Sequence, residues 1–144
     1  LALAAQLEGA ARRLLSMTTD YLGQRVQFGA PLANFQSIRH GLASQHLQIE
    51  LAGASWRAAA AKLQDGLSLD ARIRISAAKA RCSEAALGIG KSAIHYHGAF
   101  GFTDESDVGL YVNAILRWAS WLGNAGAHRR RALSLSRERP QEHG

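Results

Sequence analysis

The chain has 144 residues, which is the length of one domain with room for a sizeable hydrophobic core. Its apolar fraction of 47% is rich in alanine and leucine, and its valines and isoleucines are too scattered for a parallel sheet, so helices are favoured. The formal net charge of +6 could suit nucleic acid, but few aromatic residues interleave with the arginines, so we expect no nucleic-acid partner.

Other classes are disfavoured by what the sequence lacks. No apolar run approaches the roughly 20 residues of a membrane span, so we expect none. The single cysteine, Cys82, excludes an internal disulfide and favours the cytoplasm, and its alanine-rich surroundings suggest a small packing residue. The chain begins at Leu1 inside a helical pattern with no capping residue, which we interpret as the edge of a fragment of a larger protein.

The first predicted helix runs from residue 1 to about residue 25, where Gly29 and Pro31 stop it. The second runs from about Leu32 or Ala33 to Leu63. The apolar stripe of the first comprises Leu3, Leu7, Ala11, Leu14, Leu15, Thr18 and Leu22, and the inward face of the second comprises Phe35, Ile38, Leu42, Ile49, Trp56, Ala60 and Leu63.

Ser68 is predicted to cap a third, alanine-rich helix that continues to about Tyr96 and is followed by a loop over 98–106. Asp104 or Ser106 is predicted to cap a fourth helix. Its apolar face comprises Val108, Tyr111, Val112, Ile115, Trp118, Ala119 and Leu122. Gly123 and Asn124 interrupt the pattern before a last helix at about 125–137.

Long helices with short connections predict an all-α fold. We expect residues 1–137 to form an antiparallel, up-down-up-down four-helix bundle with a short extra C-terminal helix, and residues 138–144 to form a frayed tail.

Two glycine-bearing segments interrupt the helices and contain the candidate site residues. In the first, Arg25 lies at a helix end beside Phe28 and Gly29. Arg25 is either a solvated partner of the helix dipole or a clamp for a diphosphate, and Phe28 is either core or the floor of a nucleotide site. In the second segment, His95 and His97 are two residues apart, which places them on different helix faces, so we expect no metal site.

The two segments read RVQFGAPLANFQ from Arg25 and AIHYHGAFGFTDE from Ala93. In this order and at this distance, they resemble elements of the C-terminal domain of the acyl-CoA dehydrogenase family. The resemblance implies a four-helix bundle from a flavoprotein that also has a helical and a small β domain. It further implies that FAD is held across an interface between subunits, in a homodimer, a homotetramer or a heterotetramer with a second acyl-CoA dehydrogenase subunit, and that the substrate is an acyl-CoA.

The resemblance implies cofactor contacts at individual positions. Arg25 matches the arginine that meets the neighbouring subunit's FAD diphosphate. The remaining cofactor-binding positions that we carry over are Gln27, Phe28, Gln36, His95, Gly98 and Asn124. His95 stands where the family usually has glutamine, and Ala99 replaces the second glycine of the usual pair.

The family's usual catalytic glutamate has no counterpart in this sequence. The reaction removes the α-proton of an acyl-CoA thioester while the β-hydrogen leaves as hydride to the flavin, so it needs a carboxylate base. The matching segment reads Trp121-Leu122-Gly123-Asn124, and leucine cannot accept a proton. We therefore assign no catalytic residue in this chain, and the base would lie either before Leu1 or in a partner subunit.

Three functions follow as hypotheses. The first is the C-terminal domain of an acyl-CoA dehydrogenase-like flavoprotein, including the case of a non-catalytic subunit in a heteromer such as those of steroid or bile-acid side-chain oxidation. The second is a flavin oxidase or monooxygenase on the same scaffold. The third is a helical interaction bundle without a cofactor.

Overall fold

The computed structural model describes residues 1–98 and 106–138. It contains five α-helices, which are α1 (Ala2–Gln24), α2 (Gln36–Leu63), α3 (Leu69–His97), α4 (Val108–Ser120) and α5 (Ala125–Arg137). Two short antiparallel strands, β1 (Val26–Gln27) and β2 (Ala30–Pro31), and a 3-10 turn over Leu32–Asn34 connect α1 to α2. The predicted all-α bundle with a short extra helix at its C-terminal end is confirmed.

Helix α3 is the centre of the bundle, because α1, α2, α4 and α5 all pack against it. Its buried positions are mostly small, including Ala78, Ala85, Ala86, Gly90 and Ala93. Small side chains let a neighbouring helix axis come close, since interaxial distance depends on the side chains at the contact. The alanine-rich composition of this segment is therefore what allows four helices to share one partner.

Larger side chains from the surrounding helices fill the core around α3. Leu7 and Leu14 of α1, Ile49 of α2 and Ile115 of α4 are fully buried, and they pack with Ile89 of α3 in one cluster. Cys82 is also buried in this cluster, and burial raises the pKa of its thiol to about 11. A thiol that stays protonated at neutral pH is a packing group, as the sequence suggested.

The inward face predicted for α2 is only partly right. Ile49 is fully buried, whereas Phe35, Ile38, Leu42, Trp56, Ala60 and Leu63 are partly buried. The deeply buried face of α2 instead includes Ala52, Gly53 and Ala59. The helix also begins at Gln36, later than predicted, because Phe35 is extended with φ −76° and ψ 131°.

The prediction that Leu122 lies on the apolar face of the fourth helix is wrong. Helix α4 ends at Ser120, and Leu122 has a φ of 57° and a side chain that is 75% exposed. Gly123 follows with a φ of 107°, so two successive left-handed residues end the helical path before Leu122 can reach the core.

The predicted caps have mixed outcomes. Ser68 caps α3, since its Oγ accepts a hydrogen bond of 3.2 Å from the backbone N–H of Ala71. The Oγ of Ser106 lies 3.4 Å from the backbone N of Val108 at the start of α4. Asp104 and most of the predicted loop lie outside the described residues, as does the tail from residue 139.

None of the helices within residues 1–98 and 106–138 combines the length and the apolarity that crossing a membrane requires. Across the same residues, no cluster of three or more histidine, cysteine or acidic side chains is placed to hold a metal ion.

Ile89 tests the packing around α3. We expect Ile89→Ala to lower the free energy of unfolding by about 2–5 kcal/mol, because it removes a fully buried side chain from the shared core. The control is Leu87→Ala on the same helix, where the side chain is 38% exposed and the loss should be below about 1 kcal/mol. Thermal and urea unfolding measure both, and equal losses would contradict the assignment of α3 as the central helix.

Candidate functional site

A β-hairpin projects from the end of the bundle directly after α1. Val26 pairs with Pro31 and Gln27 pairs with Ala30, so Phe28 and Gly29 form a two-residue turn. Both turn residues have positive φ, 53° and 80°, as a type I′ hairpin turn requires. The turn fixes the hairpin and places the Phe28 ring at its tip.

The Phe28 side chain is unusual in both backbone and exposure. A left-handed phenylalanine is uncommon, and such residues cost of order 1–3 kcal/mol. The side chain is 90% exposed, and its ring meets Phe35 edge-on at a centroid distance of 6.2 Å. A strained turn that holds an apolar ring in solvent is a candidate contact point.

A groove of about 480 Å³ lies between this hairpin and the C-terminal end of α3. We call it the hairpin groove, and its lining residues are Tyr21, Arg25, Gln27, Leu32, His95, Tyr96, His97 and Gly98. The structure thus brings together Arg25 and Gln27 from one predicted segment with His95 and Gly98 from the other. These residues are about seventy positions apart in the chain, and the packing of α1 against α3 makes them neighbours.

The polar groups of the hairpin groove are suited to an anion. Arg25 is the C-cap of α1, is exposed, and forms no ion pair with any residue in 1–98 or 106–138. Its guanidinium offers five donors in a planar fork. Gly98 leaves open space beside the backbone, since a Cβ built there meets no atom within 4 Å.

Three predicted positions lie outside the lining of this groove. Phe28 is at the tip of the hairpin, and Gln36 is the exposed first residue of α2. Asn124 caps α5, where its Oδ1 accepts a 2.9 Å hydrogen bond from Ala127, and it lines a separate groove of about 470 Å³ with Arg130. The chain therefore places Asn124 at the junction of α4 and α5, away from Arg25.

His97 lines the groove as a buried residue, a role that the sequence analysis did not assign. Its side chain is 5% exposed, and its ring stacks on Tyr21 with centroids 4.2 Å apart. Burial lowers the pKa of His97 below its ordinary value. The sequence feature that could have indicated the burial of His97 is its position four residues after Ala93, which puts both on the same buried face of α3.

Lys79 was also missed. It is 4% exposed on α3, and its Nζ donates to the carbonyl oxygens of Trp118 and Ala119 at distances of 3.0 and 3.1 Å. It therefore lies against the end of α4, next to the segment that contains Leu122. A lysine inside an alanine-rich buried stripe was the signal in the sequence, because lysine is almost never fully buried without partners.

Comparisons with known proteins agree on one family. The family model described as "Acyl-CoA dehydrogenase, C-terminal domain" matches residues 1–134. Acyl-CoA dehydrogenase IpdE2 of Mycolicibacterium smegmatis is 32% identical over 123 residues, covering 85% of this chain and 37% of that protein.

Solved structures share the fold. The Tcur3481-Tcur3483 steroid ACAD variant superposes with a TM-score of 0.90 at 31% identity, over 95% of this chain and 37% of that one. The ChsE4-ChsE5 complex from Mycobacterium tuberculosis gives a TM-score of 0.89 at 26% identity, over 96% of this chain and 37% of that one. The chain thus spans little more than a third of the length of these relatives.

The buried His97 predicts acid sensitivity. Its pKa is lowered in the folded state, so as the pH falls through about 6.5 the unfolded chain takes up a proton that the folded chain does not. Stability should therefore fall from about pH 6.5 downward until the folded-state pKa is reached. In His97→Gln, which cannot take up this proton, the drop in melting temperature between pH 7.5 and pH 5 should be smaller.

His40→Gln is the matched control, since His40 is exposed on α2. It should retain the full pH-dependent drop. An undiminished drop in His97→Gln would show that the burial of His97 does not contribute to the acid response.

Proposed function

The chain belongs to the acyl-CoA dehydrogenase family, as its C-terminal domain, and from this premise we propose that it forms part of an FAD site shared with a neighbouring subunit. The observation that carries the proposal is the hairpin groove, which unites Arg25 and Gln27 with His95 and Gly98. The proposed occupant of the groove is the diphosphate and adenosine half of FAD.

The lining of the groove fits a diphosphate. An arginine fork pairs with phosphate oxygens through two parallel N–H bonds, and Arg25 has no competing carboxylate among the described residues. The side-chain amide of Gln27 and a ring N–H of His95 add further donors at the same groove. Gly98 removes the side chain that would otherwise separate the ligand from the backbone.

The hairpin tip fits the apolar part of the same ligand. One edge of Phe35 meets the Phe28 ring, and most of that ring's surface is open. Aromatic side chains stack on flat rings and gain more when the contact is removed from water. We propose that Phe28 packs against the adenosine half of FAD, which would explain why a left-handed phenylalanine is retained at the tip.

The protein's own residues would bind and orient the cofactor. When bound, FAD supplies a flavin ring that accepts a hydride from the β-carbon of an acyl-CoA. The groove residues contact the nucleotide half, so their role is to fix the flavin's position and not to exchange protons with the substrate.

We propose that the catalytic base comes from outside residues 1–144. The resemblance puts Leu122 at the family's usual glutamate position, and residues 108–137 contain no aspartate or glutamate. The base would then lie either before Leu1 or in a partner subunit. A partner subunit is the option that we favour, since two similar structures carry the names of paired proteins.

Exposed apolar side chains support a subunit interface. Leu110, Trp121 and Leu133 are between 60% and 69% exposed in this chain. Large apolar groups left in solvent mark surfaces that partners cover. We therefore propose an oligomer, either of this protein alone or with a second acyl-CoA dehydrogenase subunit. We also propose that the protein is located in the cytoplasm, where the lone thiol of Cys82 stays reduced.

A flavin oxidase or monooxygenase on the same scaffold is a second candidate, and Leu122 favours it, because such an enzyme does not need a glutamate there. The two are separated by assaying the complete protein, with any co-encoded partner, for acyl-CoA-dependent dye reduction and for oxygen-dependent turnover. The first activity supports the dehydrogenase and the second supports the alternative.

Arg25 tests the proposed cofactor site. In the complete protein, Arg25→Ala should weaken FAD binding about ten- to a hundredfold, because a hydrogen bond to a charged group is worth about 1.5–3 kcal/mol. Arg13→Ala is the control, as Arg13 is an exposed arginine on α1 away from the groove. Flavin content and titration of the apoprotein with FAD give the readout, and equal affinity in the two variants would support a bundle without a cofactor.

A substitution of Phe28 distinguishes an effect on FAD binding from an effect on folding. Asparagine tolerates a left-handed backbone better than phenylalanine, so Phe28→Asn should keep or raise the melting temperature. The same change should weaken FAD binding by removing the stacking surface. A variant that is as stable as the parent and binds FAD equally well would contradict the role given to Phe28.

A further inference from the structure

The segment between α4 and α5 has an unusual backbone. Trp121 is extended, and Leu122 and Gly123 both have positive φ, 57° and 107°. We call Trp121–Gly123 the junction turn. Leucine is unfavourable in the left-handed region, so surrounding contacts must hold it there.

Lys79 supplies contacts from one side of the junction turn. Its ammonium lies 3.0 and 3.1 Å from the carbonyl oxygens of Trp118 and Ala119, 3.3 Å from that of Gly123, and 3.0 Å from the Oγ of Ser83. The last carbonyls of a helix have no N–H partner within it and form the negative end of its dipole. A buried ammonium, with three N–H donors among four nearby oxygens, therefore closes the end of α4 and ties the turn to α3.

His128 supplies a contact from the other side. Its Nε2 lies 3.1 Å from the carbonyl oxygen of Leu122, and since a carbonyl only accepts, the Nε2–H donates. The ring also lies 3.3 Å from the position of a Cβ built on Gly123, so any larger residue there would meet it. Lys79 and His128 thus hold two adjacent carbonyls of the turn from α3 and α5.

This arrangement presents apolar side chains outward. Trp121 and Leu122 are 60% and 75% exposed. The backbone of the same turn is held by Lys79 and His128. A loop that only connected two helices could leave its carbonyls to water and would not require a buried lysine.

We infer that Lys79 and His128 are positioning residues that hold the junction turn. Leu122, at the position proposed for the family's usual glutamate, would then form a fixed apolar wall against the acyl part of the substrate. The contact of Leu122 with an acyl group rests on the proposed function. The contacts of Lys79 and His128 are independent of it.

Hydrogen exchange tests the hold on the turn in the complete protein with its flavin. Lys79→Met keeps the length of the side chain and removes the ammonium, so exchange of the amides in 116–124 should accelerate at least about tenfold. Peptides of α1 over 7–15 should exchange as in the parent. Lys91→Met is the control, because Lys91 is exposed on the same helix, and it should change neither region.

His128→Ala provides a second variant, since its hydrogen bond lies at the surface and its loss should not prevent folding. It should accelerate exchange in 116–124 about threefold or more, and His40→Ala should not. Parent-like exchange in 116–124 for both Lys79→Met and His128→Ala would overturn the inference.

Reduction of the bound flavin by octanoyl-CoA, in the complete protein together with any co-encoded partner subunit, tests the positioning role. In Lys79→Met the rate at saturating octanoyl-CoA should fall at least about tenfold with unchanged flavin content. Faster exchange in the turn together with a parent-like reduction rate would overturn the positioning role. Absence of flavin from the parent would instead overturn the proposed function, and the exchange result would still decide whether Lys79 and His128 hold the turn.

Discussion

The fold depends on the close approach that the small side chains of α3 permit. Four helices pack on this one helix, and its buried positions are largely alanine and glycine. That packing brings the end of α1, and the hairpin behind it, against the end of α3. It also buries Lys79 against α4, where an ammonium is tolerable because carbonyl oxygens surround it. The hairpin groove and the junction turn therefore both depend on the close packing that the small side chains of α3 allow.

The two regions lie at different points along α3. Lys79 is beside the junction turn and His97 lines the hairpin groove, and their separation of eighteen positions corresponds to about 27 Å of helix. One copy of the chain therefore presents the hairpin groove, proposed for the nucleotide, and Leu122, proposed for the acyl group, at separate places. If FAD contacts both the hairpin groove and the region of Leu122, the two surfaces would come from two different subunits. This is the arrangement that we propose for FAD.

The sequence predicted the helices well because apolar periodicity is a local signal. The family resemblance predicted seven cofactor-binding positions, and the hairpin groove is lined by four of them, Arg25, Gln27, His95 and Gly98. The other three, Phe28, Gln36 and Asn124, lie outside its lining. The helix prediction failed at Leu122, because apolar spacing extended the fourth helix up to Gly123, whereas α4 ends at Ser120 and Trp121 is already extended. Lys79 and His97 were missed for a related reason, since their roles depend on which distant carbonyls or rings pack against them, and no local pattern encodes that information.

The central claim is that Arg25 meets the FAD diphosphate of a neighbouring subunit. A structure of the complete, flavin-loaded assembly tests it most directly. We expect a guanidinium nitrogen of Arg25 within about 3 Å of a diphosphate oxygen on FAD that is bound mainly by another subunit. A flavin located elsewhere, with the hairpin groove open to solvent or filled by protein side chains, would contradict it.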